Sequence, residues 1–186
     1  DQGQKFLLLL QKTFSPLYVT IFPKISSSDK KEAATIIARV IKLHSLILVI
    51  VSLILYISIK PLILILYGRE FIPIINVVYI LIPSIFLKNI TQIISMFFSG
   101  TGNPIKNTYM QFINVFLQIT LTIIFIRQLG FYGVIFSMLI SSFIHSFLCI
   151  TYFLRSSKLK FFQILPKSSD VKYLYFFIKD YKKFLF

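Results

Sequence analysis

Five long apolar runs, joined by short loops, constrain this chain more than any other feature of its sequence. They cover residues 6–22, 43–59, 74–98, 108–126 and 131–154. A helix that crosses a bilayer needs roughly 20 predominantly apolar residues, and the last four runs are close to or beyond that length. The first run is less regular, because Gln11 and Lys12 interrupt it. The pattern predicts an all-α, polytopic transmembrane helix bundle with about five spans.

The composition excludes most other classes of protein. With 56% hydrophobic and 14% charged residues, the chain is too apolar for an ordinary soluble domain. A net charge of +14 in a soluble protein would suggest a nucleic-acid partner. Here the basic residues flank the apolar runs, so we expect the lipid bilayer as partner and no nucleic acid. Cys149 is the single cysteine, which argues against a disulfide framework or a metal site, and no cofactor is expected.

The distribution of Lys and Arg predicts the topology. The loops 23–42 and 100–107 and the tail from Arg155 onward carry most of these residues, whereas the loops 60–73 and 127–130 carry few. The positive-inside rule therefore places the first group, including the C-terminus, in the cytoplasm. Residues 1–155 are predicted to form the membrane bundle and 156–186 a basic, amphipathic cytoplasmic tail that lies on anionic lipids.

Two local features refine this picture. Asp29 followed by Glu32 resembles a capping box, so we expect a helix that begins there and runs unbroken into the second span. Pro61 is expected to end or kink that helix at residues 59–60. The chain begins at Asp1 without a methionine, and we expect it to be part of a longer protein.

Polar residues inside the spans are the candidates for function. Lys88 lies near the middle of the third span, where a lysine costs roughly 2.5–3.5 kcal/mol on insertion scales and normally faces a partner or a watery cavity. Polar stripes accompany it on three helices: Lys88, Gln92, Ser95 and Ser99; Asn107, Gln111, Asn114, Gln118 and Thr122; and Ser137, Ser141 and His145. These stripes predict either a hydrated, positively charged cavity or polar contacts between helices. We favour the cavity for Lys88 and the amides, and interhelical contacts for the hydroxyls. His145 is open to both readings.

Four short motifs then carry a resemblance to a known family. They are Phe22-Pro23-Lys24-Ile25-Ser26, Leu66-Tyr67-Gly68-Arg69-Glu70-Phe71, Ser99-Gly100-Thr101-Gly102-Asn103-Pro104 and Gly130-Phe131-Tyr132-Gly133-Val134-Ile135-Phe136-Ser137. In this order and spacing they resemble the C-terminal half of a polysaccharide flippase, the Wzx-type O-antigen transporters of the MOP superfamily. The likeness covers roughly residues 6–155. That family has a further N-terminal bundle, which is missing from this chain.

The resemblance implies a bacterial inner-membrane carrier rather than an enzyme. Such a carrier moves undecaprenyl-diphosphate-linked oligosaccharide, a precursor of lipopolysaccharide, to the outer leaflet by alternating access. It makes Lys88 the expected contact of the diphosphate. The expected contacts of sugar or water are Asn89, Gln92, Gln111, Asn114 and Gln118, and His145 is a further candidate for substrate binding.

Other functions remain open at this point. A multidrug or cation antiporter of the same superfamily would typically need acidic residues inside the membrane, and all six acids of this chain lie outside the apolar runs. A flippase for a lipid-linked peptidoglycan precursor shares both the fold and the anionic cargo. A membrane-embedded polymerase or acyltransferase would need a substantial outer loop for its catalytic residues, and the loops on that side are short.

Overall fold

The computed structural model describes residues 15–167 and residue 170, with side chains from residue 21 onward. These residues form five α-helices, α1 to α5, and two 3₁₀ turns. The helices are Ser15–Ser27, Lys30–Leu66, Pro73–Gly100, Pro104–Leu129 and Phe131–Ser157, and the turns are Arg69–Phe71 and Phe161–Gln163. Within the described part of the chain, α2 to α5 are each long and apolar enough to cross a membrane. The protein is therefore an all-α, membrane-embedded, multi-pass helix bundle, as the apolar runs predict.

Two predicted elements fall wholly or partly outside the described residues. The run 6–22 overlaps α1 from Ser15 onward, and its first part lies outside. Most of the predicted tail, 156–186, also lies outside them, including the amphipathic spacing of apolar residues over 171–185. The first part of the tail, up to residue 167, is described. Its Ile164 is 5% exposed and packs in an apolar cluster with α2, α3 and α5.

The start of α2 follows from its sequence. The backbone N–H of Glu32 donates to Oδ1 of Asp29 at 2.7 Å, and Asp29 has extended backbone angles as the N-cap. An Asp in this position satisfies one of the N–H groups that the first turn leaves without a helical partner. The helix then continues without interruption into the membrane span, as predicted.

Of the two outcomes predicted for Pro61, an end of α2 at residues 59–60 is wrong, and a kink there stays a prediction. The helix includes Pro61 and ends only at Leu66. Proline removes one backbone hydrogen bond, yet an irregular segment exposed to lipid would leave several groups unsatisfied, so a membrane helix tolerates it. The connections are also shorter than predicted, because polar residues at the ends of the apolar runs remain helical. Only Ser28 and Asp29 separate α1 from α2, and only Gly130 separates α4 from α5.

The order of packing differs from the order along the chain. The central helix α3 contacts all four other helices, and α5 packs between α3 and α4 over most of their length. The four long helices therefore form a layer in the order α2, α3, α5, α4. The contact between α3 and α4, which are neighbours in sequence, is much smaller than the contact that each makes with α5.

Alternation of helix direction gives the bundle two different ends. The end with the α1–α2 and α3–α4 connections and the C-terminus of α5 is here called the basic end. Its cations are Lys24, Lys30, Lys31, Arg39, Lys42, Lys106, Arg155, Lys158, Lys160 and Lys167. Among the described residues, the opposite end has Lys60, Arg69 and Arg127. The loops that the sequence assigns to one side of the membrane thus lie at one end of the bundle.

Candidate functional site

Two apolar clusters fill the two ends of the bundle. The cluster at the basic end includes Ile37, Ile93, Phe97 and Phe153. The cluster at the opposite end joins Leu55, Ile59, Ile63, Ile75, Val78, Leu81 and Ile135. Because each long helix contributes to one or both clusters at its ends, the middle of the bundle is left to a different set of residues.

A buried polar layer occupies that middle. It consists of His44 and Ser45 from α2, Ser84 and Asn89 from α3, and Ser137, Ser141, Ser142, His145 and Ser146 from α5. Most of its hydroxyls donate to the carbonyl three or four residues earlier in the same helix. Such bonds satisfy a buried Ser without breaking the helix. These hydroxyls are therefore satisfied inside the bundle.

Lys88 lies beside this layer, at the contact of α3 with α5 and in the same region as His145. The hydroxyl of Ser146 donates to the carbonyl of Leu87 at 3.3 Å, which fixes the register of the two helices next to this pair. His145 is 4% exposed, and its Nε2 lies 3.3 Å from Sγ of Cys149.

Lys88 itself is half-buried. Within the described residues, its ammonium makes no side-chain hydrogen bond and has no carboxylate partner. The sequences of α3, α4 and α5 contain no Asp or Glu at all. A cation held at mid-span without a counter-ion is costly, so this position favours an anion from outside the bundle.

Gln118 binds α5 through a compact hydrogen-bond network. Its Nε2 donates to Oγ of Ser137 at 3.2 Å, and its Oε1 accepts from Oγ of Ser141 at 2.5 Å. Thr122 completes the network at 2.7 Å from the same Ser137 hydroxyl. These are the interhelical contacts expected for the hydroxyl stripes, and they also occupy the amide of Gln118.

The polar residues of three helices form one continuous path. Lys88 lies near His145 at the contact of α3 with α5, His145 lies one turn from Ser141 on α5, and Ser141 donates to Gln118 on α4. This path of residues runs from α3 to α4 along one face of α5. The structure therefore brings together Lys88, His145 and Gln118, which the sequence selected on three separate helices.

Three further candidates lie on α3 and α4, between this path and the basic end. Gln92 lies one turn beyond Lys88, and Asn114 and Gln111 lie one and two turns from Gln118. Gln92 and Gln111 are exposed and Asn114 is half-buried. Among the described residues, none of these three side chains makes a hydrogen bond, so their amides remain open to a ligand.

Asn89 faces another neighbour. Its side chain donates to the carbonyl of Ile85 at 2.9 Å, is 1% exposed, and interacts with His44 of α2. It also borders a groove between α2 and α3 that holds only about 10 Å³, roughly the space of one water molecule. Asn89 therefore lies apart from the path formed by Lys88, His145 and Gln118.

Sequence reasoning did not find the pair of His44 and Asn89. His44 lies next to the start of the apolar run at residue 43, so hydropathy places it at the membrane surface. Because α2 already begins at Lys30, His44 instead lies inside the bundle at 1% exposure. The cap at Asp29 could have indicated this, because a helix that begins there and continues into the apolar run places His44 well inside the helix and not at its end.

Two of the motifs that carry the family resemblance pack against each other. A side chain at Gly100 would place its Cβ 2.6 Å from Cγ2 of Ile25, so the absence of a side chain lets α3 approach α1. Gly133 is more tightly constrained, because a Cβ there would collide with the backbone carbonyl of Phe125 in α4. Both glycines therefore serve close helix approach, as expected for small residues at membrane interfaces.

The described residues contain no group of three or more His, Cys, Asp or Glu side chains that could hold a metal ion. Comparison of the chain with models of known protein families, with curated proteins and with solved structures finds no match.

Proposed function

We propose that this bundle is part of a membrane transporter that flips undecaprenyl-diphosphate-linked oligosaccharide across the bacterial inner membrane by alternating access. The observation that carries the proposal is Lys88: a half-buried cation at mid-span, without a carboxylate partner among the described residues, beside an open row of amides.

The chemistry of the path matches such a cargo. A diphosphate is attracted to an ammonium, and hydrogen bonds to a charged group are stronger than neutral ones. Sugars present hydroxyls, which pair with the open amides of Gln92, Gln111 and Asn114. The prenyl chain needs an apolar route, and the exposed apolar surface of α4, with Phe112 and Phe116, borders the amide wall. The sequence motifs that resemble the flippase family support the same class.

Two alternatives follow from the same fold. A cation antiporter would need a carboxylate inside the membrane, and α3, α4 and α5 have none. A lipid-linked peptidoglycan precursor carries the same diphosphate on the same type of lipid, so the Lys88 site suits both cargoes. We place O-antigen-type oligosaccharide first because of the family motifs, and direct comparison of the two cargoes separates them.

The orientation is part of the proposal. The basic end is placed in the cytoplasm by the positive-inside rule, which also puts the C-terminal tail against anionic lipids of the inner leaflet. In this orientation the diphosphate enters from the basic end, past the side with Gln92 and Gln111, and reaches Lys88 at mid-span.

The test is transport by the full-length protein in proteoliposomes. The cargo is a fluorescent lipid-diphosphate oligosaccharide, and the readout is the fraction that becomes accessible to a membrane-impermeant quencher over time. We expect Lys88→Gln to lower the initial rate at sub-saturating cargo by about 10- to 150-fold, the equivalent of the roughly 1.5–3 kcal/mol that a hydrogen bond to a charged group contributes.

The matched control is Lys60→Gln. Lys60 is an exposed lysine near the end of α2, away from the polar layer, so its loss should leave the rate within about twofold. If Lys88→Gln transports as fast as wild type while the protein is correctly inserted, Lys88 does not bind the diphosphate. Transport of an organic cation without transport of the lipid cargo would favour the antiporter.

A further inference from the structure

A second lysine lies at the contact of α4 with α5, close to the basic end of the bundle. Lys106 belongs to the first turn of α4 and is half-buried. Its Nζ lies over the ring of Tyr152 of α5, 5.4 Å from the ring centroid. A cation within about 6 Å of an aromatic ring is attracted by the negative face of that ring. The ring therefore holds the ammonium in place without neutralising its charge.

Tyr152 continues the polar stripe of α5 toward the basic end. It follows His145 by seven residues, and His145 follows Ser141 by four, so the three side chains share one face of the helix. The Tyr152 ring also packs against Phe98 of α3, with the two centroids 5.2 Å apart. Tyr152 thus joins α3 and α4 at the end of the path that lies nearest the basic end.

Two hydrogen-bond donors remain open at this place. Within the described part of the chain, the ammonium of Lys106 and the hydroxyl of Tyr152 make no side-chain hydrogen bond or ion pair. The helices α3, α4 and α5 contain no Asp or Glu. An ammonium and a phenol hydroxyl both donate to oxygen, so together they suit a phosphate group better than a cation.

Lys106 and Lys88 lie at different depths in the bundle. Lys88 is 12 residues from the basic end of α3 and Lys106 is two residues from the basic end of α4, which is a difference of about 15 Å at 1.5 Å per residue. A diphosphate is much shorter than that and contacts one lysine at a time. Between the two depths α4 carries the amides of Asn107, Gln111 and Asn114 at helical spacing.

We infer that Lys106 and Tyr152 form a second anion site, where the diphosphate of the cargo binds on entry from the basic end before it moves to Lys88. The inference rests on the proposed function and adds an entry step to it. The ammonium attracts the diphosphate, the hydroxyl donates to a phosphate oxygen, and the amides of Asn107 and Gln111 bind the group on its way. A charge near the rim of a site mainly changes the rate of association, whereas a buried one changes the rate of dissociation.

The experiment measures association and dissociation rate constants of the detergent-solubilised full-length protein by stopped-flow fluorescence. The probe is a fluorescent farnesyl diphosphate esterified to one sugar. We expect Lys106→Gln to lower the association rate constant by about 3- to 10-fold at low salt and to weaken its salt dependence, because a rim charge acts through screened attraction. Its dissociation rate constant should stay within about twofold of wild type. Lys88→Gln should instead raise the dissociation rate constant.

Three further variants separate a binding role of Lys106 from a structural one. Lys106→Arg keeps both the charge and the contact with the ring and should restore fast association. Tyr152→Phe keeps the ring and removes the hydroxyl, so its association should fall by a smaller factor. Lys31→Gln is the matched control, because Lys31 is an exposed lysine of the same basic end on α2, at the opposite edge of the layer from α4. Its association should stay within about twofold of wild type.

A phosphate can also come from a membrane phospholipid, so the measurement is repeated with excess phosphatidylglycerol in the micelles. If the phospholipid abolishes the difference between Lys106→Gln and wild type, Lys106 binds membrane lipid and the inference is overturned. Wild-type association in Lys106→Gln, or slow association that Lys106→Arg does not restore, also overturns it. Either result leaves the proposed function standing as long as Lys88→Gln dissociates faster. Absence of probe binding to the wild-type protein would overturn the proposed function, and the entry site with it.

Discussion

Helix α5 is held by two neighbours in two different ways: by apolar packing against α3 and by a hydrogen-bond network against α4. Against α3 it packs apolar side chains, among them Phe97 and Phe153, whose rings meet edge to face with centroids 5.0 Å apart. Against α4 it uses the hydrogen-bond network around Gln118. No residue of α4 is buried, whereas α3 has buried residues along most of its length.

The difference has a physical consequence in a membrane. Lipid tails are as apolar as Leu side chains, so helix association depends on close packing and on hydrogen bonds that average only about 0.6 kcal/mol each in measured cases. Both interfaces of α5 are extensive, but its contact with α3 buries apolar side chains of both helices, whereas no residue of α4 is buried. On the proposed function, we therefore expect α4 rather than α3 to move relative to α5.

The largest effect should come from Phe153→Ala. Phe153 is fully buried in the α3–α5 cluster, and truncation of such a Phe typically costs about 3–5 kcal/mol through lost packing and the cavity left behind. Unfolding of the purified protein in mixed micelles by denaturing detergent measures this loss. Phe147→Ala is the matched control: Phe147 is 70% exposed on the outer face of the same helix, and its truncation should change stability by less than about 1 kcal/mol.

Gly133→Ala should have an intermediate effect, about 1–3 kcal/mol. The added methyl group collides with the backbone of α4 at Phe125, which cannot rotate away, so the two helices must separate. Gly100→Ala is the comparison, because its methyl group meets the side chain of Ile25, which can adjust. The same unfolding assay, with amide exchange of α4, tests the order of the two. Equal stability of Gly133→Ala and wild type would mean that α4 is not held at this point.

Gln118→Leu should have the smallest effect on stability, about 1–2 kcal/mol for the loss of its interhelical bonds, partly offset by the apolar replacement.

Gln111→Leu separates an effect on stability from an effect on transport. Gln111 is exposed and makes no hydrogen bond among the described residues, so stability should not fall, while transport should fall if its amide binds sugar. A Gln111→Leu variant with normal transport would remove it from the site. A fully stable Gln118→Leu would mean that the network does not hold α4.

The candidate site was accessible to sequence reasoning only in part. Lys88, Gln118 and His145 could be selected because polar residues in an apolar span are costly and recur at helical spacing. Gln111 and Gln118 are seven residues apart and share a face of α4, so helical spacing does not distinguish them. Only the structure shows that Gln118 hydrogen-bonds to α5 while Gln111 makes no hydrogen bond among the described residues. Asn89 adjoins Lys88 in sequence, yet it points toward α2 and His44 because successive residues lie about 100° apart around a helix.

By itself, the sequence determined that the chain lies in a membrane as a bundle of long helices, where α2 begins, and which loops share an end. These properties follow from local physics: hydropathy, the capping of Asp29 and the charges beside each span. Only the tertiary structure decided that α5 lies between α3 and α4, that Gln118 hydrogen-bonds to Ser137 and Ser141 of α5, and that α2 continues past Pro61 to Leu66. Those outcomes depend on contacts between helices far apart in sequence, whose free energies are small, similar for many alternative pairings, and settled only when all helices pack at once.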